Sequence, residues 1–211
     1  MADLPTDLTA LVRVAAAVAA ADEATVRAAL ERAKQDADAA DVEEVLLQSY
    51  LFAGFPRALN AMREWRRVSG RKAPEMDESE QLERVKHWQA RGERTCEVVY
   101  GGMYAALRRN VRELHPALDS WMIVEGYGKV LSREALPLRV RELCIVAACA
   151  AAKQDRQLHS HLHGALHAGA TADEVAGTIE ALAGIVEDGA CDSARALWSR
   201  VVRRHGTGTA E

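Results

Sequence analysis

Two stretches of this chain, 11–20 (LVRVAAAVAA) and 143–152 (LCIVAACAAA), consist almost wholly of small apolar residues. Alanine is the strongest helix former, and its short side chain lets helix axes approach closely. Neither stretch alternates apolar and polar residues as a half-buried strand would. A chain with two such segments is expected to fold as closely packed helices. Composition agrees, since 49% of the 211 residues are hydrophobic while only four Trp, four Tyr, two Phe and five Pro are present. The expected class is all-α.

Helix signals recur along the whole length. The pattern predicts helices over about 7–21 and 22–34, and a third opening at Asp41, with Glu44 three residues on in capping-box spacing and a stop near Gly54. Pro56 suits the first turn of the next helix, with Leu59, Met62 and Trp65 along one side, and the run Gly70 to Pro74 reads as a linker. Periodicity resumes at about Ser79 and runs through Tyr100 to Val111. A short helix then starts at His115-Pro116, carries Leu118, Trp121 and Met122, and is expected to end at Gly126-Tyr127-Gly128. Four more helices are expected over about 138–153, 155–168, 171–185 and 189–204, the third opened by a Thr171/Glu174 capping box, and 206–211 reads as a frayed tail.

The two alanine-rich stretches match at six of ten positions. Asp41-x-x-Glu44-Val45 pairs with Thr171-x-x-Glu174-Val175 at nearly the same offset, and Ala53-Gly54 with Ala183-Gly184. We read an internal duplication of a multi-helix unit. It divides the chain into a degenerate N-terminal repeat (1–70), connecting helices (71–118) and a C-terminal repeat (119–205). Glu142 falls on Ala10 of the first copy, so only the second keeps a candidate site.

The formal charge is −4, with basic and acidic residues interspersed, so neither nucleic acid nor an anionic membrane is an expected partner. The apolar run Val14 to Ala21 is too short to span a bilayer, and no basic flank marks a signal peptide. A cytoplasmic protein is expected. Cys96, Cys144, Cys149 and Cys191 show neither CxxC nor metal-ligand spacing and read as buried thiols.

Four of seven histidines lie within nine residues, His159, His161, His163 and His167. At about 100° per residue the first, third and fourth share one helical face, and His161 points away. Three i, i+4 histidines invite a metal, but one straight helix seldom aims three turns at one ion and no carboxylate or thiol completes a shell, so no metal is expected. A solvated or subunit-facing stripe is the alternative reading. Glu142, near the start of the alanine-rich helix, and His161, on the helix that folds back beside it, are the expected pair. A carboxylate there fixes the tautomer of an imidazole and relays protons in general acid–base catalysis. Equally, such a pair locks two helices together without chemistry.

Tyr127-Gly-Lys-Val-Leu, Arg141-Glu142-Leu143, Gln157-Leu-x-x-His161-x-x-x-Ala165-Leu and Gly169-Ala-Thr171-x-x-Glu174-Val together resemble the carboxymuconolactone decarboxylase and alkylhydroperoxidase D superfamily. The segment 42–61 is similar to the part that closes the family's repeat. The resemblance implies a helical bundle that assembles as a homo-oligomer, with a trimer favoured. In the peroxidase branch a CxxC pair does the work, and here those positions are Gln154 and Gln157, which can neither attack a peroxide nor form a disulfide. The decarboxylase branch lacks that pair and needs no cofactor. The resemblance therefore implies a lyase acting on a small organic acid or lactone, with Glu142 and His161 moving the proton. Arg139, Arg141, Arg156 and Gln157 are the candidate substrate-binding residues. Two rivals are an antioxidant using Cys144 or Cys149, and a non-catalytic oligomeric protein that binds a small ligand.

Overall fold

The computed structural model describes residues 4–207, and all regular elements among them are helical. The first group is α1 (Thr6–Ala20), α2 (Glu23–Asp36), α3 (Ala39–Gln48), the single turn α4 (Tyr50–Ala53) and α5 (Phe55–Ser69). After a coil interrupted by short 3-10 turns come α6 (Val85–Tyr100), α7 (Tyr104–Leu114), α8 (Pro116–Trp121) and a π-helical segment, Met122–Leu131. The last group is α9 (Leu138–Ala151), α10 (Asp155–His167), α11 (Ala172–Glu180) and α12 (Asp188–Thr207). Of the tail expected to fray, Gly206 and Thr207 continue α12, and 208–211 lie outside the described residues.

α9 is the centre of the bundle, buried without a break from Val140 to Ala151. α1 packs along it, and α10, α11 and α12 surround its other sides. The two alanine-rich stretches thus lie on the two helices, α1 and α9, that pack together in the interior. One hydrophobic core includes residues of α1, α3, α6, α9, α10 and α12.

Several caps follow the sequence signals. Asp22 accepts from the Thr25 N–H at 2.8 Å, and Thr171 and Glu174 form a reciprocal capping box. The cap of α3 does not: Asp38, not Asp41, accepts from the Ala40 N–H at 2.7 Å. Glu44 is needed elsewhere, buried and held by two arginines from the other half of the chain. On α5 the buried face is Ala58, Ala61 and Trp65, while Leu59 is 60% exposed. Helical period fixes which residues share a side but not how wide a strip the neighbouring helices cover.

The largest departure is at Gly126 to Gly128, expected to end a helix. Instead they lie inside the π-helical segment, whose wide turn is seen where the Ser132 N–H donates to the Tyr127 carbonyl five residues back, at 3.0 Å. Gly128 permits close packing instead of termination. A Cβ on Gly92 of α6 would collide with the Ile123 carbonyl, and one on Gly128 with the Trp88 carbonyl, so the two backbones are in direct contact.

Candidate active site

The site forms where α9 and α10 double back on each other. Lys153 takes a left-handed conformation (φ 56°), and the Gln154 N–H donates to the Cys149 carbonyl at 2.9 Å, reversing the chain in a few residues. α10 then runs beside α9, and the His161 Nδ1 lies 2.8 Å from the Glu142 Oε2. Glu142 is 0% exposed and His161 3%. Gly164, one turn after His161 minus a residue, makes room for the carboxylate: a Cβ there would sit 2.6 Å from the Glu142 Oε2 and 2.7 Å from Val99 Cγ1.

Only one carboxylate oxygen is used. The Glu142 Oε1 is buried and has no hydrogen-bond partner among the described residues. An unpaired buried acceptor of this kind costs about 1–3 kcal/mol, more when charged, and such costs are concentrated at functional sites. Around the carboxylate are groups on which its charge acts: Tyr127, Tyr100, Cys96 and Cys149. Tyr100 and Tyr127 meet edge to face, with ring centroids 6.3 Å apart. The N-terminal half closes the site from another side, where Phe52 of α4 stands edge-on to the His161 ring at 5.7 Å. Two surface cavities, between α1, α2 and α5 and around Arg91 and Ser132, are lined by neither His161 nor Glu142.

The other candidates are not gathered there. Arg141, next to Glu142 in sequence, is fully buried on the opposite side of α9, where it bonds Glu44, Gln48 and the carbonyls of Leu136 and Arg133. Four of its five N–H donors are taken up by these bonds, so its guanidinium serves the fold and faces away from the Glu142–His161 pair. Arg139 pairs with Glu174. Arg156 and Gln157 are exposed on the first turn of α10. In the histidine stripe, His159 and His163 rings meet at 5.0 Å, and His167 donates from Nδ1 to the Val99 carbonyl at 2.8 Å, tying α10 to α6. No group of three or more potential metal ligands converges among the described residues.

The thiols lie deep in the protein. Burial pushes Cys96, Cys144 and Cys149 up to about 12, so at neutral pH they are protonated and poor nucleophiles.

This geometry lies within the stretch that matches a known family model, described as the carboxymuconolactone decarboxylase family, over residues 120–199. Both Glu142 and His161 fall inside it, as does Tyr127. A curated relative, "Peroxisomal protein 2" of Schizosaccharomyces pombe, is 31% identical over 136 residues, which cover 64% of this chain. The match spans 63% of that protein's length. Phe52 and Tyr100 are contributed from outside the matched stretch, so the site draws on the N-terminal part of the chain as well.

Sequence reasoning missed Tyr127 and Phe52, and it read the small Gly164 as allowing a close helix approach at an oligomer contact, where the structure uses it against Glu142 and Val99. Tyr127 stood in the family-like motif, yet its flanking glycines were read as a stop. Phe52 carries no local signal, because its importance comes from which residue meets it in space.

Proposed function

We propose that the chain is a cofactor-independent lyase of the decarboxylase type, acting on a small organic acid or lactone through His161 and Glu142. The observation that carries this reading is the buried carboxylate–imidazole contact of 2.8 Å, with the second carboxylate oxygen left unpaired. In loss of carbon dioxide the C–C bond to the carboxylate breaks, and its electron pair enters the conjugated ring as a dienolate. A proton must then be delivered to carbon. His161, in its imidazolium form, supplies that proton, and Glu142 fixes the ring through Nδ1 and balances its charge. The pair is reloaded from solvent.

The test is carbon dioxide release from carboxymuconolactone and related γ-lactones by the purified chain. His161→Ala and Glu142→Ala should each lower turnover by about 10²–10⁴-fold, the usual worth of a positioned acid or base. No turnover in the unaltered chain, or full turnover in the double variant, would defeat the reading.

The assembly we propose is a homotrimer. Leu114, Leu118 and Trp121 on α7 and α8 are exposed in the single chain, an apolar surface that self-association would cover. Sedimentation equilibrium decides it. No helix among the described residues is long and apolar enough to cross a membrane. We propose a cytoplasmic setting, and the relative's printed name carries a peroxisomal alternative that cell fractionation would separate.

A further inference from the structure

The cavity between α1, α2 and α5 lies in the half of the chain that lacks an acid–base pair, and its volume is about 430 Å³. Pockets for small organic ligands span about 300–1,000 Å³ and set a few placed polar groups in an apolar lining. Here Val18 of α1 and Ala61 of α5, both buried, and the half-buried Val26 of α2 supply the apolar part. Short side chains leave the room. In the registers that pair Leu11 with Leu143 and Ala53 with Ala183, Val26 corresponds to Leu158 and Ala61 to Cys191, larger residues that are buried in the second copy. In the same registers Ala10 and Ala29 stand for Glu142 and His161, so the first copy has space where it has no acid–base pair.

Arg57 decides what this space suits. The arginine is half-buried: its Nε donates to the Val18 carbonyl at 2.5 Å, and its Nη2 to the carbonyls of Ala17 and Ala21, where α1 ends. Those bonds fix the guanidinium in place and leave its charge facing carbonyl dipoles only. Nη1, with two N–H donors, makes no hydrogen bond among the described residues, yet it is accessible, on a side chain that lines the cavity. The nearby carboxylates are engaged elsewhere. Asp22 accepts from the Thr25 N–H at 2.8 Å, and Glu64 pairs with Arg27 at 2.6 Å and with Arg67 at 2.5 Å. Glu23 is exposed in the first turn of α2, where the helix dipole favours it. Arg63, also at the cavity, has no ion-pair partner among the described residues either. The unmatched charge there is positive and sits on α5.

We propose that this cavity is a second ligand site, for a small monocarboxylate with an apolar body. Its carboxylate accepts charge-assisted hydrogen bonds from Arg57 Nη1, and its body lies against Val18, Val26 and Ala61. Arg63 adds positive charge at the rim without a fixed geometry. Glu23 and Glu64 on the same rim disfavour a second negative charge, which selects a monocarboxylate over a dicarboxylate. The site is separate from the Glu142–His161 pair, neither member of which lines it, and it stands whether or not that pair turns over a lactone.

The probe is cinnamate, and its neutral counterpart cinnamamide keeps the same body without the charge. Calorimetry should show cinnamate binding to the full chain, with cinnamamide at least tenfold weaker. Cinnamate should also raise the Tm, as any ligand of the folded state does. Arg57→Gln should weaken cinnamate binding at least tenfold. Val26→Trp, which fills the cavity from α2 and leaves Arg57 and its bonds to α1 in place, should do the same. Where Arg57→Gln fails to fold for want of those bonds, Val26→Trp decides alone. Binding should be unchanged in the Glu142→Ala/His161→Ala double variant. No cinnamate binding to the unaltered chain, equal binding in Val26→Trp, equal binding of cinnamamide, or loss of binding in the double variant overturns the inference.

Discussion

Arg141 Nη2 and Glu44 Oε2 meet at 2.6 Å in the interior, joining α9 to α3 across 97 positions of sequence. Arg133 grips the same carboxylate at 2.9 Å, so one buried charge is shared by two guanidinium groups. Removing Glu44 leaves a fully buried arginine uncompensated, and breaking such a pair on one side costs about 3–5 kcal/mol. Glu44→Ala should therefore destabilise the fold by about that amount in urea denaturation, while Arg139→Ala, whose side chain is partly exposed, should cost about 1 kcal/mol or less. Equal losses for the two would refute this ranking.

The same pair predicts acid sensitivity. Burial alone would raise the Glu44 carboxyl, but hydrogen bonds from Arg133 and Arg141 outweigh it and hold the pKa below the ordinary 4.5. A carboxyl depressed in the folded state contributes stability that is fully present above its unfolded pKa and lost as pH falls through its folded pKa. Unfolding free energy should thus decline as pH drops below about 4.5, the ordinary value. In Glu44→Gln that decline should be shallower, measured as the difference in slope between the two chains.

How far the sequence could be read depends on whether a signal was local. α1 and α9 were visible because alanine runs admit little else, and the Thr171 cap because its side chain bonds a backbone N–H three residues away. The start of α3 was not, since Asp38 and Asp41 are equivalent candidates until the distant Arg133 and Arg141 claim Glu44. Arg139 and Arg141 likewise look alike on paper. Two residues of helical advance turn one toward Glu174 and the other into the core. The Glu142–His161 contact was legible because the tight turn at Lys153 leaves two helices little choice but to lie side by side. The π-helical placement of Tyr127 was hidden, for Gly126 and Gly128 carry the usual mark of a chain break, and their use in helix contact appears only when α6 is in place.

The thiols provide a direct check against a peroxidase route. All four cysteines are buried, and three are pushed up to about 12 by burial. A disulfide reagent such as DTNB at pH 7.5 should label the folded chain slowly and all four thiols once denaturant is added. Rapid labelling of Cys144 or Cys149 in the native protein, with parallel loss of hydroperoxide turnover, would return the antioxidant route to contention.

Gly164→Ala tests how much the site depends on helix approach. In an open helix the change would add about 1 kcal/mol of stability. Here the added carbon would lie 2.6 Å from Glu142 Oε2 and 2.7 Å from Val99 Cγ1, closer than nonbonded atoms pack. Overpacking of this size costs about 1–3 kcal/mol and displaces α10 from α9. The expected outcome is a lower Tm together with loss of lactone turnover. A variant that gains stability would show that the two helices can separate without harm.

Phe52 decides how the imidazole is reached. His161 is 3% exposed, and the half-buried Phe52 ring stands against it at 5.7 Å on a single-turn helix closed by Gly54. It lies on the shortest helix near the pair, a four-residue turn, so it is the side chain we expect an entering ligand to displace. Phe52→Ala should therefore open His161 to solvent while disturbing the core less than truncation of a fully buried aromatic, which costs about 3–5 kcal/mol. Diethyl pyrocarbonate modification, mapped by mass spectrometry, should proceed severalfold faster at His161 in Phe52→Ala and remain unchanged at His87, which is exposed. If the His161 rate does not move, access to the pair runs along another face of α10.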